Sequence, residues 1–510
     1  LDGIPLAIEL AAARMVSMGV GEVRDRLDDR FRLLTGARRG LERHQTLQHA
    51  VQWSHDLLDD DEKTLLHRCS VFGGGFELPA ALAVAGSGDL DEYTVLDLLD
   101  ALVRKSMLTA DRSSGQARYA MLETIRQFAE DQLVAAGTAE IVRDSHARYY
   151  ASQRDDLLEL WNSPAQRDAY DWLDREMPNL RTAVDWASDR GDLNTAATIA
   201  VYAAFVGSFV QRYEPVTWAE DQLEAARAAD HGSLLGLTAA AGFAVYAGRP
   251  EDGIRHAQAA AALGDDPRYD PPPLGAAPIG SLLVAVGRPD LAWDLLVAGR
   301  ERTGDIVADT RSYFETADEP ITVWSPLGNV GTLGDVIATL WGLGRTNEAT
   351  ALASDVAAAA EPTTNPAVAA TTHTVVGMAY ATTDPLRAME AFRRALEISR
   401  ETGNRWNEVT GASQLSSLEA KHGDLHRALD LFAAAIDGYH DTGGIEQARA
   451  PMARLAVLLH RVGHYEPAAV IAGYTEGRIT RIAVPELAAT CDDLRSQLGP
   501  DRSTTLTEQG

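Results

Sequence analysis

The sequence predicts a mainly all-α protein, with one small β-hairpin in its first third and an array of helical hairpins over its C-terminal part. Only 6% of its 510 residues are aromatic and alanine is abundant, a composition that favours helices over strands. After residue 190, a short turn recurs in which a glycine is followed five residues later by a small residue. A chain of this length is too long for a single hydrophobic core, so several domains or a repeat array are expected.

The first 40 residues predict two helices. Gly3 and Pro5 set a turn and an apolar run follows, then a second helix spans Val20–Leu34 with apolar residues at helical spacing. The apolar first helix has no earlier element to pack on, and the chain begins without a methionine. We therefore expect a further domain upstream and interpret residues 1–40 as a helical remnant of that domain.

Residues 41–137 combine short helices with a β-hairpin, which is the composition of a winged helix. The carboxylates of residues 59–62 open one helix, because acidic side chains near a helix start satisfy free backbone amides. Gly73-Gly74-Gly75 is expected to be a flexible connection rather than a phosphate site. The other expected elements are a helix over Asp97–Lys105, strands over 106–110 and 117–121, and a closing helix over Leu122–Ala136.

Residues 138–190 are predicted to form a helical linker, and residues 191–480 a solenoid of stacked helical hairpins. Small residues at each turn let antiparallel helices approach closely, and each hairpin buries its open face only against its neighbour. The small residues are Ala196, Gly253, Ala292, Ala349, Ala388, Ala428 and Ala468. Their spacing is nearer 40 residues than the roughly 34 of a tetratricopeptide repeat, so the units are tetratricopeptide-like. Residues 481–510 are predicted to be a C-terminal helix and a tail that frays from Ser496 onward.

The charge of the chain argues against several kinds of partner. Its net charge is −28 and it contains three lysines, so nucleic acid and anionic membranes repel it unless a local basic patch compensates. The arginines between Arg24 and Arg43 alternate with acidic residues, which is typical of a solvated helix face. The uncharged stretch 193–211 is interpreted as a buried solenoid helix, and the stretch 362–383 is too weakly apolar to prefer lipid. Because no signal peptide is visible either, we expect a cytoplasmic protein without a membrane partner.

The sequence motifs that carry enzyme chemistry are absent. None of the lysines follows a glycine, so there is no phosphate-binding loop of the form Gly-x-x-x-x-Gly-Lys-Ser/Thr. Cys69 and Cys491 match no metal spacing and are interpreted as reduced core thiols. The histidines His44, His49, His55 and His67 lack a metal-binding pattern and are interpreted as surface or capping residues. We therefore predict that this chain is not an enzyme and has no cofactor or metal of its own.

Several stretches of the chain resemble one family. Residues 3–14 look like the Gly-Leu-Pro-Leu motif, with its following helix, of bacterial signal-transducing ATPases of the STAND class, which are related to NB-ARC proteins. The other stretches that resemble this family are 47–58, 71–76, 102–108, 119–129 and 179–186. The resemblance implies that residues 1–40 belong to a nucleotide-binding module, which is followed by a winged helix and a repeat sensor.

In that family the proline of the first motif lies against the bound nucleotide. The resemblance therefore implies that Gly3, Pro5 and Leu6 contact ATP or ADP, but only together with a nucleotide-binding domain that is missing from the N-terminal side of this chain. Met121-Leu122-Glu123 stands where plant and animal relatives carry a Met-His-Asp motif that touches the diphosphate. Leucine cannot donate a hydrogen bond to phosphate, so core packing is expected of Met121 and Leu122 instead.

In the family that the chain resembles, the winged helix usually serves as an internal hinge, so the resemblance implies a hinge rather than a reader of DNA. Residues 1–150 contain 17 Lys and Arg against 24 Asp and Glu, whereas a DNA-reading helix carries clustered basic residues. Arg104 and Lys105 are the basic pair that stands out in this region. We do not expect this segment to bind DNA directly.

The resemblance implies that the chain is the regulatory and ligand- or protein-sensing portion of a signal-transducing ATPase that regulates transcription. The solenoid would bind an unknown protein or small ligand, and Trp161, Trp172, Trp186 and Trp218 are either anchors for it or core residues. One alternative is a stand-alone tetratricopeptide-like scaffold that binds proteins. A second alternative is the sensory arm of a nucleotide cyclase regulator.

Overall fold

The computed structural model describes residues 51–85, 91–113, 115–264, 266–270, 336–341, 343–360, 363–441, 445–475 and 486–509, with a few single positions between these ranges. The predicted helical remnant over residues 1–40 lies outside the described residues. The chain divides into two compact units, which are residues 1–153 with 175–195, and residues 154–174 with 196–510.

The first unit contains a winged helix. Its elements are α1 (Asp60–Cys69), β1 (Phe76–Glu77), α2 (Leu78–Ala85), α3 (Glu92–Arg104), β2 (Thr109–Asp111) and β3 (Arg118–Ala120). The strands form an antiparallel sheet in the order β1-β3-β2, in which Tyr119 of β3 lies opposite Phe76 on one side and Ala110 on the other. The predicted helices and hairpin are thus confirmed, whereas strand β1 was missed because two residues are too few to show an alternating pattern.

The start of α1 follows the predicted chemistry. Asp59 Oδ1 accepts a hydrogen bond from the Glu62 amide at 2.8 Å, and Glu62 Oε2 accepts one from the Asp59 amide at 2.8 Å. This reciprocal capping box satisfies two amides that the first turn of a helix leaves free. The predicted start of α3 at Asp97 was five residues late, because Asp91 already caps the helix by accepting a hydrogen bond from the Thr94 amide at 2.8 Å.

Three further helical segments are described in the first unit. They are α4 (Glu123–Ala135), α5 (Ala139–Ser152) and the part of α7 (Gln166–Asp189) from Arg175 onward. Leu66, Leu99, Leu102 and Ala129 are fully buried in this unit and belong to its core. Helix α7 is one continuous element whose first residues, 166–174, are assigned to the second unit.

The second unit is an array of helical hairpins. Its first described helices are α6 (Arg154–Trp161), α8 (Leu193–Phe209), α9 (Glu214–Ala228), α10 (Leu234–Gly242), a short 3-10 helix (Phe243–Val245) and α11 (Pro250–Leu263). The later ones are α12 (Thr346–Ala360), α13 (Pro366–Tyr380), α14 (Pro385–Thr402), α15 (Arg405–His422), α16 (Leu425–Asp441), α17 (Ile445–Arg461) and α18 (Tyr465–Tyr474). Consecutive helices pack against each other from α9 to α11 and from α12 to α18, as the predicted solenoid requires.

The small residues that the sequence predicts at the repeat turns are buried. Ala196, Ala292, Ala349, Ala388, Ala428 and Ala468 are all 0% exposed. At the seventh position, a Cβ added to Gly253 would lie 2.6 Å from the Val245 amide nitrogen, so that only glycine fits without movement of the backbone. The close approach that the sequence predicts is thus confirmed at Gly253, and the alanines at the other positions are buried.

The end of the chain differs from the predicted frayed tail. Helix α19 (Glu486–Leu498) is followed by a second helix, α20 (Pro500–Gln509), which packs on α18. Gly499 has φ 80° between the two, and Leu506 is buried with Ala468, Ala469 and Leu494. Helix α20 was missed because its sequence offers one apolar anchor, Leu506, and therefore no helical periodicity.

Two other predictions concern single residues and long apolar stretches. Cys69 is buried, and that burial raises the pKa of its thiol, while Cys491 packs beside an apolar cluster. Trp161 and Trp218 are core residues, exposed by 1% and 6%. Among the described helices, none combines the length and apolar character that crossing a bilayer requires.

Candidate functional site

A buried carboxylate links three elements of the first unit. Glu176 on α7 is 4% exposed, and one of its oxygens pairs with Nη1 of Arg118 at the base of the wing on β3. The other oxygen accepts hydrogen bonds from the Tyr150 hydroxyl at 2.8 Å and from Asn179 Nδ2 at 2.7 Å. A buried carboxylate is stable only when it is paired and hydrogen-bonded in this way. We call Arg118, Tyr150, Glu176 and Asn179 the Glu176 cluster.

The Glu176 cluster also holds the loop formed by Gly73, Gly74 and Gly75, which we call the glycine loop. Asn179 accepts a hydrogen bond from the Gly73 amide at 2.8 Å and donates one to the Gly75 carbonyl at 2.9 Å. Arg118 Nη2 donates to the carbonyls of Gly74 and Gly75 at 2.9 and 3.1 Å. The prediction of a flexible connection was therefore wrong, since the backbone polar groups of this loop have fixed partners.

The glycines are required by the close packing of this loop. Gly75 has φ 81°, and a Cβ there would lie 2.8 Å from the Tyr119 carbonyl oxygen. A Cβ on Gly74 would lie 3.0 Å from Pro178 Cγ. The loop thus lies directly against β3 and α7, and its Gly73 amide already donates to Asn179.

The chemistry of the Glu176 cluster is that of a structural lock. Burial, followed by the nearby Glu176 carboxylate, raises the pKa of Tyr150 well above its usual value, so the phenol remains a hydrogen-bond donor. Next to it, burial lowers the pKa of His146 to about 3, so this imidazole is neutral and packs between Phe72 and Tyr150.

Helix α3 occupies the position of the second helix of a helix-turn-helix. Its exposed residues include Glu92, Tyr93 and Asp97, and Tyr93 is 79% exposed. Within residues 58–134 there are 14 Asp and Glu against 7 Lys and Arg. An acidic surface at this position repels the phosphate backbone of DNA.

The basic pair that the sequence singled out does not form a positive patch. Lys105 Nζ lies 2.7 Å from Oε1 of Glu62, which is 5% exposed, so the ammonium is held by that carboxylate. Arg112 in the wing lies 3.7 Å from Asp100 at the end of α3. Arg104, at the C-terminal end of α3, is exposed.

Two of the predicted surface histidines form a pair instead. His55 Nε2 and His67 Nε2 are 2.8 Å apart, and the rings stack with their centroids at 5.0 Å. Burial, followed by the neighbouring His55, lowers the pKa of His67 to about 4. The interpretation as surface or capping residues was therefore wrong for this pair. Their contact has no signal in the sequence, because the two histidines are twelve residues apart on different helical segments. His44 and His49 lie outside the described residues.

The second unit has a groove lined by charged side chains. Helices α14 and α16 border a groove of about 980 Å³ that includes the guanidinium groups of Arg393, Arg394 and Arg427. Glu419 Oε1 lies 2.7 Å from Arg393 and 3.6 Å from Arg427, and Glu397 pairs with Arg394. These arginines are therefore neutralised by carboxylates of the protein.

The predicted nucleotide-contacting residues Gly3, Pro5 and Leu6 lie outside the described residues. In the stretch 121–123, which stands where relatives carry Met-His-Asp, Leu122 is 41% exposed, so the expected core packing is wrong for this residue. Glu123 Oε1 lies 2.8 Å from Arg126 Nη2. No group of three or more His, Cys, Asp and Glu residues that could hold a metal ion is found in the described part of the chain.

Comparison with known proteins agrees with this geometry. Residues 58–134 match the family model described as a winged helix-turn-helix domain. Proteins of Mycobacterium tuberculosis and Mycobacterium bovis, each named as a proposed HTH-type transcriptional regulator, are 45% identical to this chain over 204 residues. The match covers 39% of this chain and 23% of each relative, so the chain corresponds to less than a quarter of their length. An uncharacterized protein of M. tuberculosis is 45% identical over 144 residues, or 28% of this chain and 37% of that protein.

Two solved structures are similar to the chain over long stretches. One is a signal transduction ATPase with numerous domains and a tetratricopeptide repeat sensor from Pyrococcus horikoshii, with a TM-score of 0.45, 12% identity, and coverage of 98% of this chain and 74% of that one. The other is a Rap protein complexed with competence and sporulation factor, with a TM-score of 0.40, 12% identity, and coverage of 71% and 94%.

Proposed function

We propose that this chain is the regulatory and ligand- or protein-sensing portion of a signal-transducing ATPase that controls transcription. The relatives named as proposed HTH-type transcriptional regulators support the regulatory theme, and they are much longer than the part they share with this chain. In this proposal the helical repeats are the sensor and the winged helix is an internal relay. The site of action is the cytoplasm.

The observation that carries this proposal is the Glu176 cluster. Its hydrogen bonds join the wing base, the glycine loop and α5 to a single turn of α7. In the proposed relay, the Glu176 cluster is the element that changes state: it is closed in this structure, and signalling would break it.

Helix α7 gives the relay a connection along the chain. It is continuous from Gln166 to Asp189, and its residues are divided between the repeat unit and the winged-helix unit. In the proposed mechanism, ligand binding to the repeats changes the position of α7. The Glu176 cluster transmits this change to the wing, because its hydrogen bonds join α7 to β3. The same cluster then sets the activity of the longer protein.

Nucleotide chemistry belongs to the longer protein in this proposal. The chain itself neither binds nor hydrolyses ATP, because it lacks a phosphate-binding loop. Gly3, Pro5 and Leu6 would contact ATP or ADP once an N-terminal nucleotide-binding domain is present. Calorimetric titration of the chain with ATP should show no binding, and turnover that persists after purification to constant specific activity would contradict this part.

Direct DNA binding is tested with a labelled duplex. In fluorescence anisotropy at low salt, we expect no saturable binding, because the surface of α3 is acidic. The variant Glu92→Gln with Asp97→Asn should bind more tightly than the native chain if charge is the cause. Salt-dependent binding by the native chain that is lost in Arg104→Gln would contradict the relay and favour a DNA reader.

The regulatory role itself is tested in the host. Deletion of the gene should change a defined set of transcripts, and Glu176→Gln in the full-length protein should alter the same set, because it breaks the lock. Glu159→Gln is the matched control, since this glutamate is exposed on α6. Transcripts that are unchanged on deletion would contradict the proposal and favour a stand-alone protein-binding scaffold.

A further inference from the structure

The corner between α6 and α7 contacts a helix that lies far away in the sequence of the same unit. Trp161 is the last residue of α6, and its carbonyl accepts hydrogen bonds from Gln166 Nε2 at 2.8 Å and from Asn365 Nδ2 at 3.2 Å. Gln166 Nε2 also lies 3.1 Å from Asn365 Oδ1, although these residues are 199 positions apart. Asn365 Nδ2 donates a further bond to Asn162 Oδ1 at 3.1 Å. We call Trp161, Asn162, Gln166 and Asn365 the amide cluster, and all four belong to the second unit.

The amide cluster caps two helices at once. The last carbonyls of a helix have no partner inside it, and the amides of Gln166 and Asn365 bind the one at the end of α6. The first amides of a helix are equally free, and Asn365 Oδ1 accepts a hydrogen bond from the Val368 amide at 3.1 Å at the start of α13. Gln166 is 0% exposed and Asn365 is 2% exposed. The end of α6 and the start of α13 therefore separate only when buried amides lose their partners.

The apolar anchor of this corner lies on a different helix. The Trp161 ring packs on Phe205 and Phe209 of α8, with centroids 5.0 and 5.1 Å away. Separation of the corner from α13 therefore leaves these aromatic contacts in place. Gln166 Oε1 is buried and has no hydrogen-bond partner in the part of the chain that the structure describes. Because an unpaired buried acceptor gains a water molecule when the contact opens, part of the cost of opening is offset.

The first turn of α7 is held by the later repeat helices. Gln166 is the first residue of α7, and the next residue, Arg167, donates from Nη1 to the Glu401 carbonyl of α14 at 3.3 Å. Further along the helix, Asp174 Oδ1 accepts a hydrogen bond from Arg212 Nε at 2.7 Å, between α8 and α9. A movement of α13 relative to α6 therefore acts directly on the start of α7.

We propose that the amide cluster is an autoinhibitory latch, which holds the start of α7 in its resting position until ligand binding to the repeats opens it. The proposal rests on the relay role assigned to α7 above, and it names the contact that the ligand must break. Opening separates Asn365 from the Trp161 carbonyl while α6 stays packed on α8. The latch and the Glu176 cluster then act on two parts of the same continuous helix.

Hydrogen–deuterium exchange of the purified 510-residue chain tests the latch. Asn365→Asp keeps the acceptor for the Val368 amide, but it puts a carboxylate oxygen in place of the donor that faces Trp161 and Asn162. Exchange in peptides that cover residues 154–165 should become at least about tenfold faster, which is about 1.4 kcal/mol in the opening equilibrium. Exchange over residues 425–474 should stay at the native rate, because the opening is local.

Asn404→Asp is the matched control. Asn404 is also a buried helix cap, since its Oδ1 accepts from the Asn407 amide at 3.1 Å, but its Nδ2 has no hydrogen-bond partner among the described residues. The same change there should leave exchange over residues 154–165 unaltered. Gln166→Met removes the other amide of the latch without adding a charge, and it should accelerate the same peptides. If Asn365→Asp does not fold, Gln166→Met decides the outcome.

Two exchange results would overturn the proposal. One is native exchange over residues 154–165 in both latch variants, and the other is an equal acceleration over residues 425–474, because the contact would then contribute to global stability alone. In the full-length protein, Asn365→Asp should change the same transcripts as Glu176→Gln without added ligand. Transcripts that respond to gene deletion but not to Asn365→Asp would refute the autoinhibitory role. Transcripts that are unchanged on deletion contradict the regulatory function instead, so the two failures are distinguishable.

Discussion

The hydroxyl of Tyr150 donates a hydrogen bond to Oε2 of Glu176 at 2.8 Å, and both residues are nearly fully buried, at 1% and 4% exposure. Tyr150 belongs to α5 and Glu176 to α7, so this bond fixes two helices that follow the winged helix in the chain. Arg118 supplies the positive charge that the same carboxylate needs. The position of the wing base therefore depends on residues that lie far outside the winged-helix sequence.

Removal of the Tyr150 hydroxyl should destabilise the first unit. We expect Tyr150→Phe to lower the free energy of unfolding by about 1.5–3 kcal/mol, the range for a hydrogen bond to a charged group. Urea denaturation followed by circular dichroism measures it. Tyr93→Phe is the control, because this tyrosine is 79% exposed, and its effect should stay within about 0.5 kcal/mol. Equal effects of the two changes would refute the assigned role of the Tyr150 bond.

The glycine loop offers a sharper comparison. Gly75 and Gly115 both have positive φ, 81° and 89°, but a Cβ on Gly115 meets nothing within 4 Å, whereas one on Gly75 lies 2.8 Å from the Tyr119 carbonyl oxygen. Each alanine substitution carries the left-handed penalty of about 1–2 kcal/mol. Gly75→Ala should carry a steric penalty in addition and lower the melting temperature clearly more than Gly115→Ala does. Melting temperatures that fall equally would mean that the loop moves to admit the methyl group.

The sequence was informative wherever structure depends on near neighbours. The cap at Asp59 and the buried small residues at Ala388 and Ala428 follow from local rules, and both are as predicted. The Glu176 cluster has no such local signal. Gly73 and Asn179 are 106 residues apart, and nothing in either stretch indicates that their backbone and side chain pair.

The lack of a local signal also explains the other differences between the sequence predictions and the structure. His55 and His67 were expected at the surface because their spacing fits no metal motif, yet the fold stacks their rings. Lys105 was singled out as a basic residue, but its charge is held by Glu62, 43 residues earlier. Pairings of this kind follow from tertiary packing, which a single sequence does not display.

Low pH should lower the free energy of unfolding of the first unit, because the unit contains the buried histidine His146. Burial lowers the pKa of His146 to about 3, whereas the unfolded side chain has its ordinary value near 6.5. Between these values the unfolded chain binds a proton that the folded chain excludes, so this contribution to stability is present above pH 6.5 and is lost as the pH falls toward 3. By pH 4 the loss should be about 3 kcal/mol from this residue.

The check is urea denaturation from pH 7 to pH 4. His146→Gln should flatten the pH dependence of the unfolding free energy relative to the native chain, because glutamine does not titrate in this range. His426→Gln, at a side chain that is 98% exposed, should leave the dependence unchanged. A native slope that persists in His146→Gln would mean that other groups cause it.

The helix contacts of the repeat unit are tested with two glycines inside helices. At Gly253 on α11, a Cβ would lie 2.6 Å from the Val245 amide nitrogen and 2.9 Å from Val245 Cα, which are backbone atoms that cannot rotate away. At Gly411 on α15, the nearest atom is Leu396 Cγ at 3.4 Å, an ordinary contact. Alanine favours a helix over glycine by about 1 kcal/mol, so Gly411→Ala should be neutral or stabilising. Gly253→Ala should instead lower the free energy of unfolding, by about 1–3 kcal/mol as for an overpacked core, and thermal unfolding of both variants should rank them in this order. If Gly253→Ala were as stable as Gly411→Ala, the small residues of the repeat turns would not be what sets the distance between paired helices.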